Sequence, residues 1–217
     1  TAATAANSIV TASPTSVAAD GSTTSTITMQ AKDANNNNLS TGGLVVTMTQ
    51  SGSATLSSVI DNSDGTYTAT ITSTTAETVT VTAAFGGSNV TDTADVTFSV
   101  TAATVANSIV TASPTSVAAD GSTTSTITMQ AKDANNNNLS TGGLVVTMTQ
   151  SGSATLSSVI DNSDGTYTAT ITSTTAETVT VTAAFGGSNV TDTADVTFSA
   201  TAATVANSIV TASPTSV

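Results

Sequence analysis

The sequence predicts an all-β chain of tandem β-sandwiches, about seven strands in each, and three observations lead there. First, the sequence repeats with a period of one hundred residues. Residues 1–100 and 101–200 differ only where Ala5 becomes Val105 and Val100 becomes Ala200, and residues 201–217 begin the unit again. A solenoid repeat of about 20–50 residues needs its neighbours to bury a core, whereas a unit this long is a whole domain. Second, apolar and polar residues alternate with period two almost throughout, and no segment carries a helical period. Third, Gly, Asn and Asp clusters punctuate the alternation every 8–12 residues or so, the spacing of sandwich strands and their turns. The expected organisation is a first repeat at 1–100, a second at 101–200, and the first strand alone of a third repeat within 201–217.

Strand A is read at Asn7–Val17, interrupted at Pro14 as suits an edge strand. Strand B is Thr24–Lys32, with Ile27, Met29 and Ala31 inward. Strand C is Leu44–Gln50, with Leu44, Val46 and Met48 inward. Strand D is Ala54–Ile60. Strand E is Thr66–Ser73, placing Tyr67, Ala69 and Ile71 inside, and strand F is Thr78–Phe85, placing Val79, Val81, Ala83 and Phe85 inside. Strand G is Asn89–Ser99, with Val90, Ala94, Val96 and Phe98 inward. The opposite faces of E and F are rows of threonine. A slip of one residue would drive those hydroxyls into the core, so the register is well specified. Tyr67, Phe85 and Phe98 are the only aromatics of the core and alanine fills much of the rest, so each repeat folds alone with modest stability.

Composition narrows the function classes. The chain carries 14 acids and 2 lysines for a net charge of −12, with no arginine, histidine or cysteine. Nucleic-acid binding needs a basic face to neutralise phosphate, and anionic membrane surfaces need one too, so neither partner is expected. Without cysteine there is no disulfide and no thiol chemistry; packing alone must hold each sandwich. Catalysis is not expected either. There is no His, no Gly-x-Ser-x-Gly elbow and no phosphate-binding glycine loop ahead of a helix. Carboxylate pairs could in principle cut a glycosidic bond, but the acids read as loop residues with no aromatic platform to hold a sugar.

Three stretches together carry a family resemblance. The run Val17–Val46 (VAADGSTTSTITMQAKDANNNNLSTGGLVV), the run Asp61–Phe85 (DNSDGTYTATITSTTAETVTVTAAF) and Asp92–Phe98 (DTADVTF) resemble the bacterial immunoglobulin-like repeats of the invasin/intimin type. The resemblance covers nearly the whole of both repeats. It implies the stalk, or extension region, of a large bacterial surface adhesin, exposed outside the cell. It also implies stiffening by calcium, which is common in such stalks. Two departures stand out. Asn36-Asn37-Asn38-Leu39 replaces the family's frequent Gly-Asn-Pro-Val; asparagine can take the left-handed backbone that glycine would supply. Glu77 stands where a glycine is frequent and adds a loop acid.

The acidic loops are the strongest chemical signal. Asp33-Ala34-Asn35-Asn36-Asn37 spaces oxygen-bearing side chains at alternate positions, as at the start of an EF-hand loop. It is no EF-hand, since Asn38 stands at position six, Leu44 at position twelve, and no helices flank it. Asp61-Asn62-Ser63-Asp64-Gly65 is a second cluster. Asp and Asn are also simply good turn residues, which is the plainer explanation. In an immunoglobulin-like topology, the B–C and D–E loops of one repeat face the A–B and E–F loops of the repeat before it. The candidate Ca²⁺ ligands at such a junction are Asp20, Asp33, Asn35, Asp61, Asp64 and Glu77, with Asp120, Asp133, Asn135, Asp161, Asp164 and Glu177 in the second copy. Lys32 is expected as a solvated strand-end side chain rather than one half of an isopeptide. The threonine rows are expected as solvated sheet faces rather than an ice-ordering surface, since sandwich sheets twist. Asn38-Leu39-Ser40 and Asn89-Val90-Thr91 match the glycosylation pattern weakly.

The expected function is a structural spacer. Its partners are the neighbouring identical repeats of the same chain, each adding about 40 Å of reach. Two other readings stay open: a self-assembling fibre in which strand A passes between chains, and weak ligand-binding modules that gain avidity from repetition.

Overall fold

The computed structural model describes residues 2–202 and 209–211, and it is all-β. Each repeat holds nine strands. In the first these are β1 (Ile9–Ser13), β2 (Ser16–Ala18), β3 (Ser25–Gln30), β4 (Val46–Gln50), β5 (Thr55–Leu56), β6 (Ile60–Asp61), β7 (Thr66–Thr72), β8 (Glu77–Phe85) and β9 (Ser88–Ser99). One sheet runs β1-β3-β7-β5, with β6 also on β7; the other runs β2-β9-β8-β4. The second repeat reproduces this as β10 (Ile109–Ser113) to β18 (Ser188–Ser199). The predicted first strand of a third repeat falls largely outside the described residues. No helix long and apolar enough to cross a membrane occurs among the described residues.

The two extra strands per repeat come from breaks in A and D. Proline has no N–H to give to a ladder. At Pro14 the chain therefore leaves one sheet for the other: β1 pairs antiparallel with β3, and β2 pairs parallel with β9. Strand D breaks because Ser57 takes over a ladder bond with its side chain. The Thr70 N–H donates to Ser57 Oγ at 2.9 Å while the Ser57 N–H donates to Thr70 O at 2.8 Å. The main chain then bows out until Ile60 rejoins β7 opposite Thr68.

The inward residues match the period-two reading. Ile27, Met29, Ala31, Ile71, Val79, Val81, Ala83 and Val96 are fully buried, and Tyr67 and Phe98 nearly so. Leu44, Val46 and Met48 are only partly buried, because β4 is an edge strand packed against the core rather than within it. Each buried Val, Ile or Phe contributes roughly 1.5–3 kcal/mol, and the alanines much less, so the core is light for its size. The register sets threonine against threonine on the outer face, Thr28 opposite Thr68 and Thr26 opposite Thr70. The Tyr67 hydroxyl is satisfied inside by accepting the Leu44 N–H at 2.9 Å.

The chain forms two compact units. The first comprises Thr1–Thr104 together with Lys132–Asn138, and the second comprises Val105–Ala131 and the described residues from Leu139 onward. Unit and repeat boundaries therefore differ by residues 101–104 and by the loop that carries the Asp133-Ala-Asn-Asn-Asn137 sequence.

Candidate functional site: the acidic turns

Each predicted acid sits in a turn or at a strand end beside one, and organises that turn or a nearby loop. Asp20 follows β2. Its carboxylate accepts the N–H groups of Ser22 and Thr23 at 2.8 and 2.6 Å and the Thr23 hydroxyl at 2.6 Å. The Thr23 hydroxyl, then the two N–H groups, hold this carboxyl far below the usual carboxylate range, and Asp120 behaves alike with Thr123 and Ser122. Asp61 accepts Ser63 N–H at 2.8 Å and reaches across to Gly43 N–H at 2.7 Å, so it ties the β6–β7 turn to the segment before β4. A Cβ at Gly42 would overlap the Asp61 carboxylate, which explains a glycine there. Asp64 accepts the Thr66 hydroxyl at 2.5 Å and its N–H at 2.9 Å; these lower its pKa, as the Thr166 groups lower that of Asp164. Asp161 repeats the Asp61 bonds with Ser163 and Gly143.

Glu77, the acid in place of a frequent glycine, closes a different loop. It accepts the Ser53 hydroxyl at 2.6 Å and the Ser53 N–H at 3.0 Å, with Ser73 Oγ at 3.3 Å. The Ser53 hydroxyl is the chief cause of its lowered pKa, and Ser153 does the same for Glu177.

Asp33 is the exception in burial. It is 3% exposed and Asp133 is fully buried. Asp33 Oδ1 accepts the N–H groups of Asn35 and Asn37, both at 2.9 Å, and the Asn37 carboxamide donates to its oxygens at 3.3 and 3.1 Å. The turn passes through Asn36 at φ 64° and Asn136 at φ 66°, the left-handed conformation expected of asparagine in a glycine's place. At Asp133 burial pushes the carboxyl up. The Asn137 carboxamide and the N–H groups of Thr101, Asn137 and Asn135 outweigh it and leave the pKa lowered.

Within the first unit, the Asp133–Asn137 loop makes further bonds. The Asn135 carboxamide donates to Ala19 O at 2.9 Å and that of Asn137 to Thr74 O at 3.0 Å, while Asn137 Oδ1 accepts the Ala76 N–H at 3.0 Å. The Thr101 N–H donates to Asp133 Oδ2 at 3.0 Å.

This chemistry bears on calcium. Ca²⁺ takes six to eight oxygens, most often several carboxylates at once. Among the described residues no group of three or more acidic side chains converges on a common point. Asp33 and Asn37 face each other as acceptor and donor, and Asn135 points its N–H₂ group, not its oxygen, at Ala19. As arranged, these carboxylates already accept N–H or O–H donors, some of which a bound Ca²⁺ would displace.

Two acids outside the candidate set also have structural work. Asp92, in line on β9 with the inward Val90 and Ala94 yet itself exposed, accepts the Val10 N–H at 2.9 Å and so ties the two sheets together at an open edge, as Asp192 does for Val110. Asp95 accepts the Thr80 hydroxyl across β8 and β9 at 2.7 Å. The outward parity of Asp95 is no signal for such a role, whereas an acid at Asp92, in a row of inward apolar positions, is a signal that the sequence reading passed over. Lys32 is half-buried and pairs along the main chain with Asn38.

The profile of the family described as "Invasin, domain 3" matches residues 4–101 and again residues 104–201. The chain belongs to this invasin domain family. Three solved structures agree. A bacterial integrin-binding invasin is 28% identical over 91% of this chain and 41% of its own, with a TM-score of 0.62. The Escherichia coli adhesin FdeC is 32% identical over 91% of this chain and 65% of its own, TM-score 0.63. InvD of Yersinia pseudotuberculosis is 28% identical over 94% of this chain and 60% of its own, TM-score 0.61. The chain thus spans less than two thirds of each of these relatives. No curated protein matches it in sequence. The matched proteins are an invasin and adhesins rather than enzymes, and the fold is their tandem immunoglobulin-like sandwich.

Proposed function

We propose that these repeats are spacer modules of a bacterial cell-surface adhesin, displayed outside the cell, which hold a separate binding tip away from it and carry out no chemistry themselves. One observation carries the reading. Two nearly identical domains of an adhesin family turn all six of their aromatic side chains inward and present mainly threonine hydroxyls outward. A ligand platform needs exposed aromatic or apolar anchors at its centre, and the outer sheet faces are short of them. The exposed large apolar residues of each described repeat are Val45 and Ile60, or Val145, Ile160 and the less exposed Ile109.

The test is to immobilise the 217-residue chain and present host-cell surfaces and a glycan array. The expected result is no specific capture, while arrays lengthened by whole repeats gain about 40 Å of reach per repeat. Saturable capture by the two-repeat chain would replace the spacer reading with a multivalent binder. Calcium stiffening is a separate proposal, supported by the net charge of −12 and by the alternate Asp-Asn-Asn spacing. Melting the chain in Ca²⁺ and in EDTA reads it directly. A higher melting temperature in Ca²⁺ sustains it; identical curves leave the carboxylates as turn organisers alone.

A further inference from the structure

Each sandwich leaves one edge of a sheet open. β4 is the last strand of its sheet. The Ser51 N–H, just past β4, donates to Thr80 O on β8 at 3.1 Å, and the register runs on from there through Thr49 opposite Thr82 and Thr47 opposite Ala84. Main-chain groups alternate sides along a strand. Thr47 and Thr49 therefore direct theirs to β8, and Val46, Met48 and Gln50 turn theirs outward, where the sheet ends. β13 repeats this, with the Ser151 N–H on Thr180 O at 3.0 Å. Both strands lie mid-repeat, so the opening is internal to each repeat. Sheet edges are commonly guarded by a charge, a proline or a bulge. The β1 edge is guarded in this way, since the Asp92 carboxylate accepts the Val10 N–H. Asp61 stands on β6, and Asp20 lies just beyond β2. β4 has no such guard. Residues 39–60 contain no charged side chain and no proline, the ladder from β4 to β8 runs without a bulge, and Val45 beside it is 85% exposed.

We propose that β4, and β13 with it, pairs antiparallel with the same edge of a second copy of this chain, joining two four-stranded sheets into one. The edge is its own complement. A two-fold axis at Met48 sets Val46 against Gln50 and brings the outward N–H and C=O groups of one copy onto those of the other. Thr47 then faces Thr49. The sheets already use such pairs, with Thr49 opposite Thr82, and with Thr78 opposite Thr97, their hydroxyls 3.0 Å apart. Val45 comes opposite Ser51 and loses exposure. Charge selects the same side: for two chains of net charge −12, the uncharged edge is where approach meets least repulsion. The contact is isologous and short, with five residues on each strand, so a single pair is weak. Each chain carries two such edges, and pairing at one raises the effective concentration at the other. The outcome is side-by-side association of chains, which the spacer reading neither requires nor forbids.

Sedimentation equilibrium of the full chain from micromolar to millimolar concentration tests this, and the average mass should rise above the 21.0 kDa of one chain. Cysteine cross-linking reads the register, and the chain has no cysteine of its own to interfere. The variants T47C/T147C and T49C/T149C place thiols at exposed positions of each edge. Under mild oxidation their mixture should form intermolecular disulfides at least tenfold faster than either variant alone, because position 47 meets position 49 and neither meets itself. Acids at all four positions (T47E/T49E/T147E/T149E) should weaken association at least tenfold. Mixing that variant with its lysine counterpart should restore association, which also establishes that both are folded. A chain that stays monomeric at millimolar concentration overturns the proposal. So does cross-linking no faster in the mixture than in the separate variants, which is the behaviour of strand exchange or random collision, or an acid variant that associates as the native chain does.

Discussion

The loops Asp33–Asn37 and Asp133–Asn137 have one sequence and one backbone but two surroundings. Both pass through a left-handed asparagine, and both wrap N–H donors around a buried aspartate. Only the second also engages Ala19, Thr74 and Ala76. The shape of the loop is therefore local, written by an aspartate that bonds its own backbone two and four residues on. Its burial depends on what lies opposite. For a protein made of copies, this separation matters: each copy can fold to the same loop before it meets anything.

The largest effect tests the local half of that comparison. Asp33→Ala and Asp133→Ala should each cost about 3 kcal/mol, because several buried N–H groups lose their acceptor at once. Urea denaturation of the full-length chain reads the loss. If the loop is local in origin, the two substitutions should agree within about 1 kcal/mol. A far greater cost for Asp133→Ala would show that the extra contacts, not the turn, hold the loop.

The sandwich was legible in sequence because burial in a sheet alternates with period two, and Ile27, Met29, Tyr67, Ile71, Val79, Val81, Val96 and Phe98 all lie where parity puts them. The breaks in strands A and D were harder. Pro14 marks the first openly, but the sheet switch depends on which neighbour offers a free edge, and that is tertiary. The second hinges on a Ser57 side chain replacing a main-chain partner, which no local pattern displays. The acidic turns were legible as turns. Their spacing also suggested oxygen ligands, yet a carboxamide has two faces, and sequence does not say which one Asn35 or Asn37 presents. Asp92 breaks the apolar row of Val90, Ala94 and Val96 and was readable as an anomaly, but its partner, Val10, is distant in sequence and was not.

The next effect isolates the surroundings. Asn37→Ala removes a donor to Asp33; Asn137→Ala removes the equivalent donor to Asp133 and also the bonds with Thr74 and Ala76. The difference between the two variants cancels the shared loop contribution. Asn137→Ala should be the more destabilising by about 1–2 kcal/mol, the worth of two net hydrogen bonds. Hydrogen exchange gives an independent check. The Ala76 amide should exchange more slowly than that of Ala176 in the native chain, and Asn137→Ala should erase the difference while Asn37→Ala leaves it. Equal exchange in the native chain would break the comparison altogether.

The smallest effect concerns what the two repeats share, and it should show no asymmetry. Asp20 and Asp120 have carboxyl groups held well below the ordinary aspartate value of about 4, chiefly by the hydroxyls of Thr23 and Thr123. A depressed folded pKa adds stability that is fully present above the unfolded value and disappears as pH falls through the folded one. Between pH 7 and 5 the contribution should be flat, and below about pH 4 it should decline. Thr23→Val and Thr123→Val each remove one hydroxyl donor and leave the N–H donors of the turn in place. Each should lower the melting temperature slightly at pH 7 and flatten its decline toward pH 2, by the same amount in either repeat, because both turns are solvent-exposed and both are made from their own residues. An unequal response would mean that a turn which looks purely local is coupled to its surroundings, as the Asp133–Asn137 loop is.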